Sequence, residues 1–214
     1  LDVLEQEYPG FGVSDFKTPA VAVKNGDGSD CIDLRYVSHK IYEGKYTITD
    51  MPSLRENEGG WSTLEVLLRD FSSRIEVTLV YGVMEEYDII TRCARLCNTG
   101  EQEVFVHRAH SACVAFPTDK MDMISFYGSW GHERNMERMP VRHGKYTVDS
   151  TRGISSHYYN PSAVLCSHDA TEHSGECYGI ALVYSGNFAI TAEVNDFKQT
   201  RIVAGINPDT LCWK

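Results

Sequence analysis

The sequence has 214 residues, of which 42% are hydrophobic and 23% charged, with a formal net charge of -10 at pH 7. This composition is typical of a folded globular chain that buries a substantial core, and it excludes disordered, collagen-like and disulfide-scaffold classes. The acidic balance repels phosphate backbones and anionic lipid, and no apolar run reaches membrane-spanning length, so we expect no nucleic acid and no membrane as partner.

Alternation of apolar and polar residues predicts β-strands over most of the chain. In chain order, strands are expected at residues 65–69, 75–83, 89–96, 104–116, 179–184, 188–194 and 201–206. Turn signals rich in Gly and Asn separate them, and no helical stripe of about three turns is present. The pattern predicts an all-β fold, a large antiparallel β-sandwich, in one domain.

Two segments interrupt this pattern. Residues 33–50 are rich in Tyr, His and Lys, and residues 121–151 hold the sequence Tyr-Gly-Ser-Trp-Gly-His-Glu-Arg followed by further arginines. A long aromatic and charged excursion in a β protein is typical of a functional loop or a covering flap. We therefore expect these segments to be loops.

The seven cysteines are odd in number and follow no disulfide-rich spacing, which favours reduced thiols in a reducing, cytoplasmic compartment. Cys93, Cys97 and Cys113 lie near His107 and His110, and these residue types can bind zinc. On an extended strand Cys93 and Cys97 would be about 13 Å apart. His107 and His110 would face opposite sides of one strand. Core thiols are therefore expected, and no metal site.

Motifs for catalysis are weak. No Gly-x-Ser-x-Gly nucleophile motif is present. Hydrolysis of a glycosidic bond needs two carboxyl groups in one pocket, about 5 to 5.5 Å apart in the retaining mechanism. The acidic pairs Glu85/Glu86 and Asp119/Asp122 are expected on solvated turns. We assign no catalytic residue in this chain.

Trp130 is the main candidate for ligand binding. An indole offers a flat apolar face that suits the C–H face of a sugar ring. Gly128 and Gly131 flank it and leave the backbone free to project the indole outward. His132, Glu133 and Arg134 follow as hydroxyl partners or as loop anchors. On these residues alone, a buried structural tryptophan and a binding tryptophan are equally supported.

Nine segments carry a family resemblance. They lie, in order along nearly the whole chain, at residues 6–9, 15–16, 33–42, 87–92, 128–134, 152–161, 175–179, 182–188 and 205–208. Together they resemble the N-terminal domain of bacterial α-galactosidases of glycoside hydrolase family 36. The resemblance implies a β-supersandwich that precedes a catalytic (β/α)8 barrel. In that family Trp130 corresponds to a tryptophan that lines the galactose subsite.

The resemblance also implies an activity. The full enzymes remove terminal α-linked galactose from oligosaccharides such as melibiose and raffinose, with retention and without a cofactor. Both catalytic aspartates belong to the barrel, and many members are tetramers. Residues 1–214 show no alternation of strands and helices and no barrel, so we expect one N-terminal domain, truncated at both ends and inactive alone.

The resulting interpretation is a non-catalytic domain that scaffolds the missing barrel, supports a homo-oligomer when full-length and lends Trp130 to the galactose subsite. The alternative is a free-standing carbohydrate-binding sandwich, and a zinc-bound structural protein is the least favoured reading. For Asp33, Arg35 and His39 a buried hydrogen-bonded corner is favoured over sugar contact. Arg134, Arg138 and Arg152 are interpreted as loop anchors or interface charges.

Overall fold

The computed structural model describes residues 4–54 and 60–210. Within these residues the chain is built of β-strands, and helical structure is limited to two short 3-10 segments, Glu85–Tyr87 and Pro208–Thr210. The strands are β1 (Val21–Lys24), β2 (Arg35–Glu43), β3 (Ser62–Arg69), β4 (Ile75–Met84), β5 (Ile89–Asn98), β6 (Phe105–Phe116), β7 (Met121–Ser129), β8 (His132–Pro140), β9 (Gly144–Asp149), β10 (Tyr159–Ser167), β11 (Cys177–Ala181), β12 (Phe188–Val194) and β13 (Thr200–Ile206). In the described part, no helix is both long and apolar enough to cross a membrane.

The strands form three four-stranded sheets, each paired antiparallel. Their orders are β1-β6-β13-β12, β11-β10-β7-β8 and β2-β3-β4-β5. Strand β9 lies beside β12, where the hydroxyl oxygens of Thr147 and Thr191 are 2.9 Å apart. The predicted all-β class and antiparallel sandwich are confirmed.

The sheet β1-β6-β13-β12 contributes to two hydrophobic cores. On β13, Ile202 and Ala204 face one core and Val203 faces the other, because successive side chains of a strand point to opposite faces. The first core is shared with the sheet β11-β10-β7-β8 and includes Met121, Met123, Leu165, Phe188 and Ile190. The second is shared with the sheet β2-β3-β4-β5 and includes Val21, Val23, Ile75, Val77 and Leu79. Each fully buried side chain of this size contributes about 1.5–3 kcal/mol.

The expectation that residues 33–50 and 121–151 are loops is wrong. The first segment contains β2, and the second contains β7, β8 and β9. Strands β2 and β8 lie at sheet edges, and nearly all of their residues are exposed. A strand with both faces in solvent carries no alternation of apolar and polar residues, so its sequence does not reveal it.

A buried ion network joins the N-terminal segment to β13. The Arg201 guanidinium donates to carboxylate oxygens of Asp15 and Glu5, each at 2.6 Å. Lys17, also buried, lies 3.4 Å from Glu5. The desolvation cost of buried charges can exceed their mutual attraction, but removing one partner would leave another charge buried and unpaired. The network therefore fixes the segment against the sheet.

Candidate functional site

Trp130 lies at the tip of the hairpin formed by β7 and β8. Ser129 pairs with His132 across the hairpin, which leaves Trp130 and Gly131 as the connecting residues. The indole is 88% exposed. This exposure removes the structural alternative of a buried tryptophan and leaves a large aromatic face in solvent.

The local sequence explains how the hairpin closes. Gly131 has φ +75, a left-handed conformation that favours glycine. A Cβ atom on Gly128 would lie 2.4 Å from the carbonyl oxygen of His132, so a side chain has no room there. Glu133 accepts a hydrogen bond from the Gly131 amide at 2.8 Å, and this bond lowers the Glu133 pKa. Of the two roles considered for Glu133, the geometry supports the loop anchor.

Partly exposed aromatic side chains surround the base of the hairpin. Tyr127 on β7 lies opposite Tyr159 on β10, and the Gly128 amide donates to the Tyr158 carbonyl at 3.0 Å. The Arg152 guanidinium stacks over the Tyr158 ring, 3.8 Å from its centroid, as in a cation–π contact. This group depends on the register between β7 and β10, which sequence spacing does not reveal.

The acidic pairs do not form a catalytic pair. Glu85 and Glu86 lie on an exposed 3-10 segment, as expected. Asp122 instead lies on β7, where it is nearly buried and accepts a hydrogen bond from Arg138 Nε at 2.6 Å. His168 contacts its other oxygen. The solvated turn expected for Asp122 is therefore wrong, because the carboxylate serves an ion pair.

The suggested zinc ligands are spread over two strands. Cys93 and Cys97 lie on β5, whereas Cys113 and His110 are buried on β6 and His107 is exposed. Within residues 4–54 and 60–210, no three His, Cys, Asp or Glu side chains are grouped so that they could hold a metal ion. Burial raises the pKa of the Cys113 thiol to about 11, as expected for a core thiol.

The six cysteines in the described residues are free thiols, and Cys212 lies outside them. The buried corner expected at Asp33, Arg35 and His39 is wrong. Arg35 is exposed and pairs with Asp33 at 2.7 Å. His39 Nδ1 lies 2.6 Å from the Tyr36 hydroxyl. Arg35, Tyr36 and His39 are exposed because they belong to edge strand β2.

Arg138 acts as a loop anchor, as expected. Besides its contact with Asp122, its guanidinium donates to the carbonyl oxygens of Ser167, His168 and Ala170 at 2.7–3.1 Å. These carbonyls belong to β10 and the connection to β11. Arg138 therefore uses its donors within the chain rather than for a ligand.

A groove of about 1730 Å³ in the described chain does not include Trp130. It runs between β5 and β11 and is lined mainly by aliphatic side chains, among them Ile90, Leu96, Val114, Ile180 and Leu182. Polar side chains such as Tyr81, Arg92 and Asn98 also line it, but the family resemblance points to Trp130 rather than to this groove. We therefore place the candidate sugar contact at the hairpin.

Comparison with known proteins shows the family of the chain. The chain matches the glycosyl hydrolase family 36 N-terminal domain over residues 1–214. It is 43% identical over 213 residues to the bifunctional α-galactosidase/sucrose kinase AgaSK of Mediterraneibacter gnavus, covering 100% of this chain and 23% of that protein. It is 44% identical over 214 residues to α-galactosidase AgaA of Geobacillus stearothermophilus, covering 100% of this chain and 29% of that protein.

The fold agrees as well. A structure of an AgaA variant from Geobacillus stearothermophilus in complex with raffinose superposes with a TM-score of 0.96 at 44% identity, covering 100% of this chain and 30% of that one. The chain thus spans less than a third of the length of these relatives, and the part matched is the N-terminal domain. The chain belongs to the glycosyl hydrolase family 36 N-terminal domain family.

Proposed function

We propose that this chain is the non-catalytic N-terminal domain of a retaining α-galactosidase, and that Trp130 forms an aromatic wall of the galactose subsite. The observation that carries the proposal is the exposed indole at the tip of the β7–β8 hairpin, in a chain whose whole length matches the family. Under this proposal the bond-breaking groups lie in a (β/α)8 barrel elsewhere in a longer polypeptide. No cofactor takes part.

The proposal gives the rest of the domain a scaffolding role. Its sheets hold the hairpin at a fixed position relative to the barrel and support a homo-oligomer of the full-length enzyme in the cytoplasm. The substrates are terminal α-galactosides such as melibiose and raffinose. One relative, an AgaA variant, has been crystallised with raffinose, and another with stachyose, which supports this substrate class.

The hairpin chemistry supports a role in sugar binding. The C–H face of galactose packs on an indole, while its hydroxyls need hydrogen-bonding groups that one aromatic face does not supply. Trp130 therefore contributes affinity and orientation, and the polar part of the pocket comes from the barrel. The hydrogen bond from the Gly131 amide to Glu133 supports the turn that carries the indole.

Replacing Trp130 tests this role directly. In the full-length enzyme, Trp130→Ala is expected to lower kcat/KM by about 5- to 150-fold, equivalent to about 1–3 kcal/mol, because a stacked platform is lost. Phe197→Ala is the matched control, since Phe197 is 50% exposed and lies outside both the hairpin and the nine family segments. Unchanged kcat/KM in Trp130→Ala would remove Trp130 from the substrate site.

Galactose binding by the isolated chain separates this proposal from a free-standing carbohydrate-binding module. One aromatic face cannot offset the loss of translational and rotational freedom of a sugar, so we expect no detectable heat in a calorimetric titration up to millimolar galactose. Raffinose serves as a second ligand. Saturable binding at millimolar concentration or tighter would support the module instead.

A further inference from the structure

Strands β10 and β11 place two cysteines directly opposite each other. Cys166 pairs with Cys177 in the antiparallel register. The neighbouring Ser167 amide donates to the Glu176 carbonyl at 3.0 Å, which makes Ser167 and Glu176 a hydrogen-bonded pair. Because hydrogen-bonded and non-hydrogen-bonded pairs alternate along an antiparallel ladder, Cys166 and Cys177 form a non-hydrogen-bonded pair.

This position fits a disulfide bond. The Cα atoms of a non-hydrogen-bonded pair are about 4.5 Å apart, and their side chains project from the same face. A disulfide accepts Cα separations of about 4.4–6.8 Å. The Cys177 thiol is close enough to Cys166 to act on it as a hydrogen-bonding neighbour. The backbone therefore needs little movement for the two sulfur atoms to bond.

The two thiols differ in access. Both cysteines lie on the outer face of the sheet. Cys177 is exposed to solvent there, whereas Cys166 is buried. Burial raises the pKa of Cys166, and the nearby Arg138 guanidinium opposes that effect by stabilising its thiolate. An oxidant in solution thus meets Cys177 first. Cys166 is in place to complete the reaction from within the protein.

We propose that Cys166 and Cys177 form a reversible dithiol–disulfide site that reacts with small-molecule disulfides such as oxidised glutathione. The Cys177 thiolate attacks one sulfur of oxidised glutathione, the glutathione S–S bond breaks, and one glutathione thiolate leaves. The Cys166 thiolate then attacks the Cys177 sulfur of the mixed disulfide and releases the second glutathione. The protein loses two protons and two electrons, and one oxidised glutathione becomes two reduced molecules.

The bond would lock the connection between β10 and β11. It closes a loop over residues 167–176, whose carbonyls at Ser167, His168 and Ala170 already accept hydrogen bonds from Arg138. Cys93 and Cys97 provide an internal comparison, since both lie on β5. Four residues of extended strand separate them by about 13 Å, which no disulfide can span.

The test is peptide mapping of the 214-residue chain equilibrated with reduced and oxidised glutathione at increasing ratios, then acid-quenched and alkylated. We expect a Cys166–Cys177 cross-linked peptide whose yield rises with the oxidised fraction and that disappears on reduction. Cys166→Ser should trap glutathione on Cys177, and Cys177→Ser should leave Cys166 reduced. The double variant Cys93→Ser, Cys97→Ser should form the cross-link as the wild type does.

The proposal is accepted or rejected on the wild-type protein, so misfolding of a variant does not affect the conclusion. The proposal is overturned if wild-type Cys177 accumulates as a glutathione adduct without the cross-link. It is also overturned if both thiols stay reduced at the most oxidising ratio. Circular dichroism of each variant shows whether its trapped species belong to the folded chain.

Discussion

At the scale of single residues, burial of His110 makes the stability of the fold depend on pH. It lies within β6 and is 2% exposed, and its Nδ1 atom has no hydrogen-bond partner among the described residues. Burial, and secondarily the charge of Arg108, lower its pKa from 6.5 to about 3. The folded protein therefore keeps His110 neutral at every pH where unfolded His110 takes up a proton.

The pH dependence of stability follows from this difference. Between pH 6.5 and about pH 3 the unfolded state binds more protons at this position than the folded state, so stability falls as the pH falls. Because of His110, the free energy of unfolding is expected to be about 2 kcal/mol lower at pH 5 than at neutral pH. Urea denaturation at several pH values measures this effect.

Two variants isolate the contribution of His110. His110→Gln removes the titrating group, so the drop in stability between pH 7 and pH 5 should shrink by about 2 kcal/mol. His107→Gln, at an exposed position of the same strand, should retain the wild-type drop. If the free energy of unfolding falls equally with pH in the wild type and in His110→Gln, the described pKa difference of His110 is wrong.

At the scale of elements, the hairpin of β7 and β8 depends on Gly128. Because a Cβ atom there would meet the backbone of His132 and Glu133, Gly128→Ala is expected to destabilise the chain by about 1–3 kcal/mol. Gly179→Ala on β11 is the control, since a Cβ there meets no atom within 4 Å and its φ is not left-handed. Denaturant unfolding measures both; equal stabilities would show that the hairpin accommodates a side chain.

The elements also show which strands a sequence can reveal. The prediction for residues 75–83 agrees with β4, and that for 188–194 agrees with β12, because these strands bury at least one face in a core. Strands β2 and β8 were missed because their side chains lie in solvent and carry no hydrophobic period. Exposure does not explain β7, which lies in the segment leading to Trp130 and was also missed although Met121 and Met123 are buried in a core.

The candidate site was predictable only in part. Trp130 and its flanking glycines could be singled out from the sequence, because an indole face suits a sugar ring and glycines leave the backbone free to project it. The grouping of Tyr127, Tyr159 and Arg152 near the hairpin base could not, since it arises from the register of β7 with β10 and from a stacking contact. The opposition of Cys166 and Cys177 depends on register in the same way.

At the scale of the whole molecule, two cores share one sheet, and the hairpin extends from a sheet that is packed against one of them. The sheet β11-β10-β7-β8 is buried on one face against Phe188 and Ile190, and the hairpin extends from it. The nearest acid to Trp130 along the chain, Glu133, accepts a hydrogen bond from the Gly131 amide and anchors the turn. Under the proposed function, the domain presents this surface to a catalytic centre that lies elsewhere in the polypeptide.

The most direct test of this account is hydrolysis of a nitrophenyl α-galactoside by purified residues 1–214 alongside the full-length polypeptide. Release of nitrophenol should be at the buffer rate for residues 1–214 and rapid for the full-length protein, because the bond-breaking carboxylates are expected beyond residue 214. Enzymatic turnover by residues 1–214 alone would contradict the account.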